Sequence, residues 1–395
     1  MRILLIILVL SLLTACASRP EPLPPEHAWA LPWGAVDPDT GETTGISHEL
    51  ANAGKNRLPA DPDHDGRPNY SALVISGGGA KGAFGAGVLK GWTQAGNRPE
   101  FTIVTGVSTG ALMATWAFLG PKYDSELERF YTQTTDAQIF RKKNLLLAPF
   151  NESLLDTAPL RKTIAQAVDE RLLAEVAREY RKGRRLYVAS TDLDNGRMVV
   201  WDLGAIAASD RADRLERYRE ALRASASIPI GFPPVYFPVE VGGKKYGQMH
   251  VDGGATANLF LTGFILDRQR ALAPPGMRRW DVNIDMYLLV NSHLLPQPEG
   301  EPTEPRLISI AMASSWATSW AAQTDRLARA YQAAKGINAD FHLVGIPDDY
   351  SGDLPLASFD PETMTPLFRY GETLARSGQF WLSEPPGIGW REKLN

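Results

Sequence analysis

The sequence predicts an α/β fold, with a largely parallel central sheet covered by helices on both faces. Three observations carry this. Short apolar runs of strand character alternate with helix-period segments, the order that builds crossover units. Two strand-to-helix junctions near the start of the core are glycine-rich. The composition, 44% hydrophobic and 22% charged over 395 residues, is that of a globular chain and excludes a disordered or collagen-like one.

The elements follow in order. Ala72–Ser76 (ALVIS) reads as a buried strand and Ala83–Gln94 as a helix. Phe101–Val107 is a second strand and Thr109–Leu119 a second helix. Leu160, Ile164, Val168, Leu172, Val176 and Tyr180 recur every four residues, so 158–182 reads as one amphipathic helix. Pro159 suits its first turn and Gly183 its end. Further strand-like runs are Arg185–Thr191, Met198–Asp202, Lys244–Val251 and Val282–Asn291. Helical stretches near 306–335 and 361–382 close the chain, with a strand-like Ala339–Ile346 between them. No internal repeat is apparent.

Charge and cysteine narrow the function. Lys+Arg number 41 against 45 Asp+Glu, a net charge of −4, which argues against a broad nucleic-acid surface. The single cysteine, Cys16, rules out an intrachain disulfide and a Cys-rich metal site. Residues 1–15 read as a signal peptide. Arg2 is a short basic region, and Ile3 to Leu13 form an apolar run too short to span a membrane, which needs roughly 20 residues. The run ends in Leu13-Thr14-Ala15-Cys16, which resembles the lipobox of bacterial lipoproteins and implies a lipidated Cys16. Ala17, rather than Asp, follows it, which leans toward the outer membrane. Several acyl chains would anchor firmly where one binds marginally.

Residues 16–69 read as a Pro-rich tether, with Pro20, Pro22, Pro24, Pro25 and Pro32, extended at roughly 3 Å per residue. Part of it is expected to pack on the domain, because Trp29, Leu31 and Trp33 are costly to expose. Asp61-Pro62-Asp63-His64-Asp65-Gly66 matches the start of a calcium loop. Its twelfth position is Ala72, where a bidentate Glu is needed, so an acidic turn is the competing reading.

Three motifs carry chemistry. Gly106-Val107-Ser108-Thr109-Gly110 is G-x-S-x-G between a strand and a helix, the setting of a nucleophile elbow. The helix N-terminus, from Thr109, aims backbone N–H groups at developing negative charge. Gly77-Gly78-Gly79-Ala80-Lys81-Gly82 follows a strand and opens a helix, so its amides can converge on an anion. It also satisfies G-x-G-x-x-G, but the second strand ends in Thr105-Gly106-Val107-Ser108 without the acid a dinucleotide site wants. An oxyanion hole for Ser108 explains both motifs at once. Asp252-Gly253-Gly254 places a carboxylate on a close-packing loop after a strand.

These three motifs, in this order, resemble the patatin-like phospholipases, which are lipid acyl hydrolases with a three-layer α/β/α fold. By that resemblance Ser108 is the nucleophile and Asp252 its partner in a Ser–Asp dyad without histidine. Gly77, Gly78, Gly79 and Lys81 mark the oxyanion loop, and Gly106, Gly110, Gly253 and Gly254 support the turns. Two further stretches are similar to the family: Gly82–Leu89, and Arg223–Pro229 followed by Phe232-Pro233-Pro234-Val235. The lipoprotein start and Met249-His250-Val251-Asp252 resemble a bacterial branch. Two positions depart from the pattern: Ser76 stands where plant members carry Asp, and Leu259 where Pro is frequent. The resemblance implies a hydrolase domain over 70–395, with a core over 70–290 and a completion over 291–395. It implies a phospholipid or other acyl-ester substrate and no metal or cofactor.

Two rivals stand beside it. A Ser–His–Asp hydrolase would draw on His293 or His342, both beyond Asp252, though Ser108 follows fewer strands than that fold usually supplies. A catalytically inactive lipid-binding lipoprotein would have no need of Ser108, Asp252 and the glycines together. Arg141-Lys142-Lys143 before Leu145-Leu146-Leu147 is a candidate lipid-docking patch or a charged turn. Trp316 and Trp320, four apart on a predicted helix, read as core packing in preference to a membrane face.

Overall fold

The structure is a computed structural model that describes residues 19–53, 69–144, 151–261, 283–295, 302–352 and 358–387. Nine strands form the main sheet: β1 (Ala35–Val36), β2 (Asn69–Ile75), β3 (Ile103–Val107), β4 (Arg185–Asp192), β5 (Arg197–Asp202), β6 (Val235–Val241), β7 (Lys244–Asp252), β8 (Asn283–His293) and β9 (Asp340–Ile346). Along the sheet the order is β1-β5-β4-β3-β2-β8-β9, and the β6–β7 hairpin joins through β7 to β4. The centre, β4-β3-β2-β8-β9, is parallel throughout, with Val74 opposite both Thr105 and Leu288. β5, β7 and β1 add antiparallel pairs at one side.

The central strands are Val/Ile/Leu-rich because both faces are covered. On one face Leu73, Ile75, Val104, Leu186 and Val188 pack against α1 (Gly82–Gln94), α2 (Thr109–Leu119), α5 (Glu170–Arg181), α7 (Arg214–Ser225) and α9 (Pro361–Arg376). On the other, Val74, Met286, Leu288 and Val290 meet Leu327 and Ala334 of α8 (Leu307–Ile337). The result is a mixed, mostly parallel sheet in a three-layer α/β/α fold, as the motif order implied. Helix α1 is glycine-rich because α9 crosses it closely. A Cβ on Gly87 would stand 2.0 Å from the Phe368 carbonyl oxygen, and one on Gly91 2.1 Å from that of Glu372. The roughly 0.5–1 kcal/mol each helical glycine costs is offset by that packing.

The structure corrects several boundaries. The segment 158–182 is two helices, α4 (Ala158–Ala167) and α5, broken at Val168-Asp169. All six periodic residues are buried, but Asp169 takes extended backbone and accepts from the Leu172 amide, capping a new helix. The last helix stops at Arg376 rather than 382. Gly378 turns the chain at φ 74°, and Leu382 then bridges Leu343 of β9. Sequence periodicity did not identify β6, whose Pro238 and Glu240 interrupt the apolar run, nor α3 (Asp124–Gln133) and α6 (Leu203–Ala208).

Residues 19–53, assigned from sequence to the tether, lie along the domain. β1 pairs antiparallel with β5, Ala35 opposite Trp201. Trp33 Nε1 donates to Asp213 at 3.1 Å, and the Arg211 and Arg217 guanidinium groups lie over its ring. Cys16, the Asp61–Asp65 turn and Leu145–Leu147 lie outside the described residues, as do the Trp316 and Trp320 side chains. Arg141–Lys142 form an exposed two-stranded ribbon with Leu155–Asp156.

Candidate active site

Ser108 sits between the end of β3 and the first turn of α2, with φ 55° and ψ −123°. A non-glycine residue there is strained and persists when its surroundings hold it. Two close approaches explain the flanking glycines. A Cβ on Gly106 would stand 2.4 Å from the Gly110 carbonyl oxygen, and one on Gly110 2.5 Å from that of Ile75. The elbow is also held by hydrogen bonds. The Ser108 amide donates to Ser225 Oγ at 3.0 Å, while the amides of Ala111 and Leu112 donate to the Ser108 carbonyl. Thr109 Oγ1 is bonded to the buried Tyr131 hydroxyl at 2.7 Å, so its side chain is turned into the core.

The glycine-rich loop crosses beside the elbow. A Cβ on Gly77 would lie 3.2 Å from Ser108 Cβ and 2.3 Å from Asn258 Oδ1, so this position touches the candidate nucleophile. Its amide is already engaged, donating to the Asn258 carbonyl at 2.9 Å. Gly77 therefore gives close approach rather than a free donor, which narrows the oxyanion donors expected from sequence. The amides of Gly78, Gly79 and Thr109 take no backbone acceptor among the described residues; Gly79 and Thr109 each begin a helical turn, where amides are left over by geometry. Gly78 has φ 154°, and a Cβ there would meet the Asn291 carbonyl at 2.5 Å. Lys81 closes the turn, its amide donating to the Gly78 carbonyl, and burial lowers the pKa of its ammonium.

Asp252 ends β7 opposite Ser190 of β4. Its Oδ1 accepts the Gly254 amide at 2.7 Å, and its own amide donates to the Ser227 carbonyl at 2.8 Å. Gly253 fits because a Cβ there would strike the Ala189 carbonyl at 2.5 Å. Burial pushes the Asp252 carboxyl up to about 7, opposed by its hydrogen bonds to the Ser108 hydroxyl and the Gly254 amide. The contact with Ser108 is loose, since Oδ2 has no partner at ordinary hydrogen-bonding geometry. Such contacts commonly tighten when substrate binds. Both side chains are secluded: Ser108 is 7% and Asp252 5% exposed.

Several supporting residues escaped the sequence reading. Asn291 Nδ2 donates to the Ser76 carbonyl and its Oδ1 accepts the Gly85 amide, fixing the loop from β8. Asn258 Nδ2 donates to Gln323 Oε1, and Gln323 Nε2 to Ser292 Oγ, which brings α8 to the site. The Arg223–Pro229 stretch holds Ser225 and Ser227, and so reaches both Ser108 and Asp252. That run was visible in the sequence, although its role was not.

The histidines have other partners. His250 is fully buried between Ser190 Oγ at 2.8 Å and Gln248 Oε1 at 2.9 Å, and burial lowers its pKa to about 3. His293 Nδ1 donates to the Ile346 carbonyl at 3.0 Å. His342 stacks on Tyr287, centroids 4.5 Å apart, and faces Asp285. Among the described residues no histidine hydrogen-bonds Ser108 or Asp252.

No curated protein matches the chain. Among solved structures it is similar to VipD from Legionella pneumophila, with 13% identity over 80% of this chain and 70% of that one. The TM-score of that match is 0.34. A family match that contains all three glycine-rich motifs supports a lipid hydrolase or esterase. Residues 73–265 match the family described as Patatin-like phospholipase.

Proposed function

We propose that the protein is a serine-dependent lipid acyl hydrolase of phospholipase A type, acting through Ser108 and Asp252. One observation carries the reading: a serine held at φ 55° on a strand-to-helix elbow has beside it a buried carboxyl, that of Asp252, close enough for the serine hydroxyl to influence its titration. A serine hydroxyl is a poor nucleophile until a base takes its proton. A carboxyl with a pKa near 7 is a far better base than an ordinary aspartate, yet about half of it is ionised at pH 7.

The steps follow. Ser108 Oγ attacks the ester carbonyl carbon as its proton passes to Asp252. The tetrahedral oxyanion accepts hydrogen bonds from the amides of Gly78, Gly79 and Thr109, each worth about 3 kcal/mol in comparable sites. Collapse expels the alcohol or lysophospholipid, which takes the proton from Asp252, and leaves acyl-Ser108. Water then attacks the acyl carbon, gives its proton to Asp252, and the fatty acid departs as Ser108 recovers a proton.

The same reading makes residues 1–15 a signal peptide and Cys16 the lipid attachment point, with the domain over 70–395 at a bacterial outer membrane. Its support is the single cysteine placed after Leu13-Thr14-Ala15 and followed by Ala17. A fluorophosphonate probe should label the wild type and not Ser108→Ala. Lipid profiling of the two, with products identified by mass, should show fatty acid and lysolipid from the wild type alone. A wild type that neither takes the probe nor releases fatty acid would point to a lipid-binding protein without turnover.

A further inference from the structure

We propose that docking of Arg19 seats the catalytic end of the domain directly on the bilayer that holds the Cys16 acyl chains. The inference rests on the lipidation of Cys16 put forward above, but not on catalysis. Arg19 grips the domain: Nη1 and Nη2 donate to the two Asp194 carboxylate oxygens at 2.8 and 2.7 Å, and Nη2 also to the Gly247 carbonyl. The next residues continue the grip. Pro20 lies against Gly247, where a Cβ would meet its ring at 2.4 Å. The Gly247 amide donates to the Glu21 carbonyl at 2.8 Å, and Lys244 pairs with the Glu21 carboxylate at 2.6 Å.

The grip lies at the catalytic end of the sheet. Asp194 is two residues past the end of β4, the end at which Ser108 follows β3. Asp192 pairs with His250, so Gly247 lies on the part of β7 that runs beyond β4, about 17 Å along the strand from Asp252. Only Ala17 and Ser18 separate Arg19 from Cys16, so the span is at most about 11 Å. A lipid on Cys16 would therefore keep the membrane surface beside this end. A tether free over 16–69 would instead let the domain stand off and tumble.

Exposed apolar side chains collect at the same end. Leu193 follows β4 and is 48% exposed; Leu295 follows β8 and is 43% exposed. Ile230, 38% exposed, lies just past the Ser225–Ser227 turn that holds the dyad. Helix α8 adds Leu307 at 84% and Ile310 at 50%. Gln323 ties α8 to Asn258 beside the site, and the helix extends about 24 Å from there back to Leu307. Leu307 to Thr324 carry no charged residue. No helix among the described residues is long and apolar enough to cross a membrane, so this half of α8 would lie in the interface instead. The anchor's short reach makes the occupant of this surface the bilayer rather than a second copy of the chain.

The test uses the full lipidated chain in vesicles of phosphatidylethanolamine and phosphatidylglycerol containing quencher-labelled lipid. One fluorophore goes on Ser314→Cys in α8. Another goes on Asn97→Cys, past the end of α1 and ahead of β3, at the opposite end of the sheet's strands. Lipidated Cys16 is a thioether and does not react with the dye. Quenching at 314 should exceed that at 97 at least threefold, and Asp194→Ala should cut the difference by half or more. Hydrolysis of a soluble ester should be unchanged in Asp194→Ala, reporting an intact fold. Equal quenching at the two sites, an Asp194→Ala variant that orients like the wild type, or burial of 314 between two copies would overturn the proposal. A chain that fails to float with vesicles would overturn the anchor reading as well, whether or not the ester is hydrolysed.

Discussion

The amide of Ser108 donates to the hydroxyl of Ser225 across 117 residues of sequence. Two residues on, the Ser227 carbonyl accepts the amide of Asp252. The end of α7 thus holds the backbones of both members of the candidate dyad. A nucleophile at positive φ needs such a hold, because its own conformational preference opposes the elbow.

Ser225→Ala should therefore damage catalysis more than folding. Ser225 is fully buried, so losing its hydroxyl leaves the Ser108 amide without a partner, at a cost of about 1–3 kcal/mol. The expected result is a modest fall in Tm and a kcat reduced roughly tenfold or more, with KM little changed, because the loss falls on transition-state alignment. An unaltered kcat would remove Ser225 from the positioning role.

The candidate site is legible in the sequence where one residue type has a single physical use. Gly106 and Gly110 flank the serine because carbonyl oxygens fill the space a Cβ would take, and G-x-S-x-G records that constraint locally. Alternation of apolar strands and helices likewise gave the parallel centre of the sheet. What could not be read is whatever depends on distant pairing. Asn291, Asn258 and Gln323 are ordinary polar residues until β8 and α8 are placed beside the glycine loop. The periodicity over 158–182 correctly marked the buried face, but it is blind to a cap such as Asp169 within the repeat. The docking of 19–53 depends on Asp194, Asp213 and β5, none of which is near it in sequence.

The Asp252 carboxyl links activity and stability to pH in opposite senses. Its folded pKa is raised from 3.8 to about 7, chiefly by burial. As base it must be ionised, so kcat/KM for a neutral ester should rise through an apparent pKa near 7 and level above it. For stability, the folded chain holds this proton between pH 4 and 7 while the unfolded chain has released it. Stability therefore falls as pH rises across that window, by about 4 kcal/mol in all. Asp252→Asn cannot titrate there. It should lose hydrolysis at least a thousandfold, yet exceed the wild type in denaturant midpoint at pH 8, with the gain vanishing toward pH 4. A variant equally stable relative to wild type at both pH values would refute the buried, protonatable carboxyl.

Gly77→Ala tests the close approach of the glycine loop. The added methyl would stand 2.3 Å from Asn258 Oδ1 and 3.2 Å from Ser108 Cβ. The Asn258 side chain must turn away, breaking its bond to Gln323, or the loop must retreat from Ser108. Either shift moves the Gly78 and Gly79 amides, and a misplacement of about 1 Å can cost on the order of a hundredfold in rate. Turnover of a soluble ester should fall by about that factor while circular dichroism and Tm stay near wild type. Wild-type turnover would place the loop outside the reaction.

His250 distinguishes a dyad from a triad. Trp201 Nε1 donates to Ser190 Oγ, whose hydroxyl donates to His250 Nδ1. Gln248 Nε2 donates to Asp192, so its Oε1 faces His250 Nε2, which must carry the ring proton. Both ring nitrogens are thereby committed within the β4–β7 pair that presents Asp252. With its pKa lowered to about 3, His250 stays neutral through the working range; the stability this gives is full above the unfolded value of 6.5 and is lost as pH falls toward 3. NMR of the ring should show no titration between pH 5 and 8. His250→Ala should cost about 2–4 kcal/mol, from an emptied buried site and unpaired Ser190 and Gln248 groups. His293→Ala and His342→Ala, remote from both members of the dyad in their hydrogen bonding, should form the acyl-enzyme at wild-type rate in a stopped-flow burst. If either abolished the burst while the fold stayed intact, a histidine would be taking the serine proton and the two-residue mechanism would be wrong.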